Sequence, residues 1–255
     1  MDRTNALRIA ATLPGDAKVL DVGGCNAPFP PATHILDCLA YEDRNNEPLK
    51  VLDDVLPEKF TRDTWCQRDV CDKTPWPYPD KFFDYCVCSH LLEDIRDPIW
   101  VCGEIARVAR AGYIETPSRI LEQSLGIENP RHAGFCHHRW LVTMRPPEST
   151  VEFLLKPHFL HGLNAAIVAK VGAFSRLNPA HGIQWMEWNG SFEAKEKIIL
   201  DEGEYEQELC SFASQARGIP DLKVPAGGPF LDRLRRWWYY RRLARGERNG
   251  AAAPA

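Results

Sequence analysis

The residues best placed to do chemistry stand at the ends of apolar runs. Lys18-Val-Leu-Asp-Val-Gly-Gly24 is an apolar stretch that stops at Asp21 and the pair Gly23 and Gly24. Glycine has no Cβ and tolerates positive φ, so a strand ending this way lets backbone N–H groups approach a ligand closely. The same pair can also turn a strand for topology alone. His34-Ile-Leu-Asp37 ends on a second acid, and Trp65-Cys-Gln-Arg-Asp-Val70 brings a third, Asp69, with Asp72 close behind. Ser89 and His90 close the run Phe83-Asp-Tyr-Cys-Val-Cys88. Ligands bind outside the carboxyl ends of strands in open α/β sheets. An imidazole there titrates near neutrality and suits a general base; a structural histidine bonded to backbone is the competing reading. Arg131-His132 precedes a denser cluster, Cys136-His-His-Arg-Trp140. Set on a strand, His137 and His138 point to opposite faces, so at most one of them faces a given pocket. They read as ligand-binding or base histidines, as structural ones, or as zinc ligands with Cys136 and His132. The spacing matches no structural zinc pattern, and no metal is expected.

The glycine stretch is followed by Trp76-Pro-Tyr-Pro-Asp-Lys-Phe-Phe-Asp-Tyr-Cys-Val-Cys-Ser-His90, and in this order the two resemble the cofactor half of a class I S-adenosylmethionine-dependent methyltransferase of the type 11-like kind. Leu91-Leu-Glu-Asp-Ile-Arg-Asp-Pro98 is similar to that family's Leu-Glu-His…Asp-Pro stretch, with Asp94 in place of the histidine. The resemblance covers roughly residues 18–117. It implies S-adenosyl-L-methionine as cofactor, contacted by Asp21, Gly23, Gly24, Asp37, Asp69, Val70 and Ser89. Asp21 would be a fixed negative charge near the sulfonium and ammonium. Asp37 would accept from the ribose hydroxyls, or else be a solvated aspartate capping a turn. Asp69 would accept the adenine amino group while the Val70 N–H meets a ring nitrogen, and Asp72 competes for that role. His90, His137 and His138 are the catalytic candidates on the acceptor side. Arg119, Arg131 and Arg139 suit an anionic or sugar-like acceptor, although exposed arginines are commonly just solvated. The implied reaction is methyl transfer to a small-molecule or glycan-linked acceptor. A non-catalytic S-adenosylmethionine-binding module is the alternative. A nicotinamide-dependent oxidoreductase is disfavoured, because Gly23-Gly-Cys-Asn-Ala-Pro28 lacks the Gly-x-Gly-x-x-Gly turn and the helix that binds a pyrophosphate.

These residues need a sheet to hold them. Candidate strands at 18–22, 34–37, 65–68, 83–88 and 113–115 alternate with helix-like segments, which predicts an α/β, Rossmann-like, mostly parallel sheet with helices on both faces. The clearest helix starts at Asp97-Pro98, an N-cap followed by proline at the first helical position. Val101, Ile105, Val108 and Ala109 share one of its faces, and Gly112 is expected to end it. Pro28, Pro30 and Pro31 leave no room for a helix after the glycines, so a tight proline-rich loop must make the crossover. Beyond Pro117 the spacing predicts strands at 137–144, 150–156, 183–188 and 197–200, a β-rich, acceptor-side elaboration over 118–224. Residues 225–255 read as a linker, a basic amphipathic helix over 230–243 and a disordered tail.

Composition excludes several classes. The chain has 255 residues, 44% of them hydrophobic and 26% charged, as in an ordinary globular protein. A net charge of −4 argues against a surface built to grip nucleic acid. From Gly228 onward seven arginines face only Asp232 and Glu247. That tail could lie peripherally on an anionic membrane or pack its aromatics on the core or a second subunit. No apolar run approaches the roughly 18 residues of a membrane span. Nine scattered cysteines suit reduced thiols, and a cytoplasmic protein is expected.

Overall fold

The computed structural model describes residues 1–24, 27–45, 56–125, 127, 132–161 and 179–217. They belong to one compact unit, Met1–Lys223. The expected linker, basic helix and tail over 225–255 lie outside the described residues, as does Arg131.

Six strands form the main sheet: β1 (Val19–Val22), β2 (His34–Asp37), β3 (Trp65–Gln67), β4 (Phe83–Ser89), β5 (Ala109–Pro117) and β8 (Ile183–Asn189). Their order is β3-β2-β1-β4-β5-β8. The first five run parallel and β8 is antiparallel to β5. This is the doubly wound order, with its switch point between β1 and β4. Every residue of β1 is buried, as a strand covered on both faces requires. A second sheet, β6 (Trp140–Arg145), β7 (Thr150–Leu155) and β9 (Glu193–Glu196), has the order β6-β7-β9.

Two cores lie on the two faces of the main sheet. α1 (Arg3–Thr12), whose N-cap Asp2 side chain accepts from the Asn5 N–H, buries Ala6 and Ile9 against Val19, Ile35, Val87 and Tyr113. On the other face α2 (Pro98–Val108) buries Val101, Cys102, Ile105 and Val108 against Leu20, Cys86 and Ile114. The Asp97 carboxylate caps α2 by accepting from the Trp100 N–H at 2.9 Å. Val142, Val151 and Phe153 of the second sheet join the same core. The α/β reading therefore holds, with helices on both faces.

Several boundaries differ from expectation. α2 stops at Val108 and β5 begins at once, so Gly112 sits inside the strand rather than ending the helix. A Cβ on Gly112 would clash with the Cys86 carbonyl oxygen on β4 and come within 2.8 Å of the Trp188 ring on β8, so the glycine makes room for both neighbouring strands. Residues 197–200 are not a strand; the third strand of the small sheet is β9, four residues earlier. His137 and His138 precede β6 instead of lying on it, so the opposite-faces rule does not govern them: their rings are 4.4 Å apart. α1, the short α4 (Pro179–Gly182) and α5 (Glu202–Arg217) were not individually expected. The stripe of α5, with Tyr205 and Leu209 packed on Leu141, Leu154 and Leu160, is sparse among acidic residues. Between β1 and β2 the described residues form turns and no helix, as the prolines dictate.

Candidate active site

The crevice at the switch point is built by the ends of β1, β2 and β4. Gly23 has φ +75°, and its N–H donates to the Leu36 carbonyl at 2.9 Å, continuing the β1–β2 ladder. Leu91, just past β4, lies where a Gly23 side chain would be: an added Cβ would sit 2.7 Å from its Cδ1. A Cβ on Gly24 would meet the Asp21 Oδ2 at 2.7 Å. The glycine pair thus folds the loop tightly over Asp21, and the Gly23 N–H is spent on the sheet rather than offered to a ligand.

Asp21 corrects the expected charge. It is 3% exposed, and its Oδ2 accepts from the Phe29 N–H at 2.7 Å. Burial pushes its carboxyl up to about 7, against the lowering effect of that hydrogen bond, so near neutrality it is not a fixed anion. Its work is to hold the proline-rich loop. Asp37 is equally buried, not solvated, and accepts from the Leu39 N–H at 2.8 Å as it caps the turn after β2. Asp69 is exposed; its two oxygens accept from the Cys71 N–H at 2.9 Å and from the Arg96 guanidinium at 2.7 Å. Those bonds hold its carboxyl below the usual range. Val70 is buried in the core. Asp72, the competitor, is turned back onto the N–H and hydroxyl of Thr74.

On the β4–β5 side lies a second group of charges. Ser89 Oγ donates to Glu115 Oε1 at 3.1 Å, and His90 Nε2 is 3.0 Å from the same oxygen. His90 has φ +54°, an uncommon conformation for a residue with a side chain, and its N–H is pinned to the Glu115 carbonyl at 2.9 Å. Glu115 is fully buried and also accepts from the Asp2 N–H and the Tyr113 hydroxyl. Glu93, 1% exposed, makes no hydrogen bond through its carboxylate, which faces His90 Nδ1 at 3.6 Å. Burial opposes a charge on His90, but the hydrogen bond to Glu115 and the facing Glu93 carboxylate outweigh it and raise the imidazole to about 9. His90 is therefore an imidazolium at neutral pH, which corrects its reading as a base.

The two later histidines meet this group through the backbone. The N–H groups of Arg139 and Trp140 donate to the Glu93 carbonyl at 2.8 and 3.0 Å. His138, the next residue back, has its Nδ1 2.8 Å from Glu122 Oε1. Glu122 closes α3 (Arg119–Glu122), the short helix that follows β5 directly. Its other oxygen accepts from Lys156 Nζ at 2.6 Å. His137 is exposed and stands edge-on to His138. The structure thus gathers His90 and His138 beyond the carboxyl ends of β4 and β5. Arg119 is not available to an anion: it is buried, bonded to Gln123 and Glu208, with its guanidinium over the Phe212 ring. Among the described residues no group of three His, Cys, Asp or Glu could hold a metal ion.

Sequence reasoning did not single out Glu93, Glu115, Glu122 or Lys156. The available signal was an acid set in apolar company, as in Tyr113-Ile-Glu-Thr-Pro117 and Arg119-Ile-Leu-Glu122; nothing local reveals which histidine each would meet.

Residues 39–114 match the family described as "Methyltransferase domain". The match is under a third of the chain and begins just after β2, so the glycine loop lies outside it. No curated protein matches the chain. Among solved structures it is similar to an S-adenosylmethionine-dependent methyltransferase from Mesorhizobium loti, at 14% identity over 59% of this chain and 62% of that one, with a TM-score of 0.33. It is similar to an arsenic(III) S-adenosylmethionine methyltransferase from Chlamydomonas reinhardtii, at 16% identity over 44% and 49%, TM-score 0.32. A third, a SAM-dependent methyltransferase from Methanosarcina mazei, gives 16% identity over 44% and 57%, TM-score 0.33. The chain spans about half the length of the first solved structures it matches. At these identities and TM-scores the likeness says nothing of substrate. The resemblance to class I methyltransferases rests on the sheet order and the family match, and the cofactor they imply is S-adenosylmethionine.

Proposed function

We propose that the chain is an S-adenosylmethionine-dependent methyltransferase acting on a small-molecule or glycan-linked acceptor. The observation that carries this is the parallel order β3-β2-β1-β4-β5 with acids at the ends of β2 and β3, in a chain whose residues 39–114 match a methyltransferase domain. The residues present fit the cofactor in kind. Asp37 and Asp69 are hydrogen-bond acceptors suited to hydroxyl and amino groups. The Val70 main chain stands next to Asp69. S-adenosylmethionine, when bound, supplies a methyl group already activated by positive sulfur. The protein's own task is then to position the acceptor and exclude water. The β4–β5 side carries His90, Glu93, Glu115 and His138 for that task.

Calorimetric titration with S-adenosylhomocysteine and, separately, NADH tests the reading. Binding of the first and not the second is expected, and native mass spectrometry of the purified protein should find retained S-adenosylhomocysteine. Tight NADH binding with no response to S-adenosylhomocysteine would refute it.

A further inference from the structure

We infer that His138 is the general base of the acceptor site, that Glu122 and Lys156 are its positioning residues, and that the acceptor atom is a hydroxyl oxygen. This rests on the methyltransferase reading above and deepens it.

The geometry is that of an oriented base. Glu122 is 1% exposed and Lys156 4%, so this ion pair is held inside the protein. The lysine also donates to the Phe135 carbonyl at 2.8 Å, which fixes its own place. One carboxylate oxygen of Glu122 goes to Lys156 at 2.6 Å and the other to His138 Nδ1 at 2.8 Å. A carboxylate on Nδ1 selects the tautomer with the proton there and leaves Nε2 with a lone pair. His138, its side chain 8% exposed, makes no other hydrogen bond among the described residues, so they leave Nε2 unengaged. Its ring orientation is fixed by Phe135, 4.8 Å away between centroids, and by His137 at 4.4 Å. Gly134, at φ +57°, leaves the space in which Glu122 lies. A merely structural histidine needs none of this, and an isolated buried Glu–Lys pair gains little stability after its desolvation cost.

Placement favours the acceptor. Glu122 follows β5 by one helical turn, and the backbone beside His138 is bonded to Glu93, just beyond β4. The base itself selects the acceptor class. The charges around that side are balanced, Glu93 and Glu115 against His90 and the Met1 ammonium. A carboxylate or thiolate is already ionised and an uncharged amine attacks through its lone pair, whereas a hydroxyl needs a base to take its proton. In the step, the acceptor oxygen gives its proton to His138 Nε2 and gains the methyl carbon. The electron pair of the broken S–C bond stays on sulfur, which loses its positive charge, and the imidazolium returns the proton to solvent.

Two measurements on the full chain decide this. Imidazole nitrogen NMR at pH 8, with His138 assigned by its loss in His138→Gln, should show the Nδ1–H form in the wild type. It should shift toward Nε2–H in Glu122→Gln, and partly so in Lys156→Met. Radiolabelled methyl transfer from S-adenosylmethionine into an extract of the producing cells should give a base-stable ether. In His138→Gln the rate should fall about 10²-fold or more, with S-adenosylhomocysteine affinity unchanged. An Nε2–H tautomer in the wild type, a base-labile ester or N-methyl product, or wild-type transfer by His138→Gln each overturns the proposal. So does the absence of label with S-adenosylhomocysteine bound. Failure to bind S-adenosylhomocysteine overturns the cofactor reading instead, and the tautomer, which needs no cofactor, still decides the dyad.

Discussion

Replacing Asp21 with asparagine should stabilise this protein at alkaline pH and do little at acid pH. Burial raises the carboxyl from 3.8 to about 7 in the folded chain. Between those values the folded state binds a proton that the unfolded state has released. Stability from this group is therefore complete below about pH 4 and is lost as pH rises toward 7. A shift of about three units corresponds to roughly 4 kcal/mol at 1.36 kcal/mol per unit, of which about 2.5 kcal/mol falls between pH 5 and 8. Solvent screening removes little of this, because Asp21 is 3% exposed. Asparagine keeps an oxygen for the Phe29 N–H and cannot ionise, so Asp21→Asn should lack that slope. Urea unfolding of both proteins at pH 5 and pH 8 gives the answer. Asp21→Asn should fall less than wild type over that interval by about 2.5 kcal/mol. Parallel pH dependences for the two proteins, or a variant less stable at pH 8, would refute the assignment of a buried, near-neutral carboxyl.

Other outcomes follow from the same structure. His90, raised from 6.5 to about 9, adds stability that is complete below pH 6.5 and lost as pH passes 9; its NMR titration should midpoint near 9 and fall markedly in Glu115→Gln, and a wild-type midpoint at 6.5 contradicts the ion-pair reading. Asp37→Ala should weaken S-adenosylhomocysteine binding by about 1–3 kcal/mol, the range for such hydrogen bonds, and unchanged calorimetric affinity removes Asp37 from the site. Lys81 donates to the carbonyls of Ala106, Ala109 and Gly190 at 2.6, 2.9 and 2.6 Å, closing the end of α2; Lys81→Met should cost about 2 kcal/mol in urea unfolding, and a loss under 0.5 kcal/mol would mean those bonds are replaced by water. Truncation before Pro229 separates the two readings of the basic stretch over 230–243: if it lies on an anionic membrane, the full chain pellets with anionic liposomes and the truncated one does not, an interaction that salt screens within about 10 Å at 0.1 M; if it packs on the protein, the truncation costs solubility or stability, and pelleting that is identical with and without it rules the membrane version out.

The parallel sheet was legible because its strands are short apolar runs closed by acids or glycines, each too brief for a helix. The 34–37 strand matches β2 residue for residue, and the Asp97-Pro98 start of α2 follows directly from capping chemistry. The far end of α2 was not legible, since Gly112 reads as a terminator until the Trp188 ring is known to lie against it. In the candidate site, the strand-end positions of His90 and Asp37 were readable from pattern. The charge state of His90 was not, because it depends on Glu115 in a neighbouring strand. The coupling of His138 to Glu122 and Lys156 joins three separate elements, and no local periodicity encodes it. Asp21 shows the opposite failure: its position was read, but its charge was judged as if solvated.

The antiparallel pairing of β5 with β8 sets an order of assembly. As the chain leaves the ribosome, strands β1 to β5 can join in sequence, each with a partner already made. β5 then waits with one edge open until Ile183–Asn189 arrives, because Pro117 pairs with Ile183 and Ala111 with Asn189. Nearly all of that waiting strand is buried once folding is complete, so its open edge is the segment most exposed to pairing with another nascent chain. The intervening stretch carries α3, the histidine pair, β6 and β7. Nascent chains therefore hold five parallel strands of the main sheet well before β8 closes its edge, and contacts of such long sequence separation form slowly.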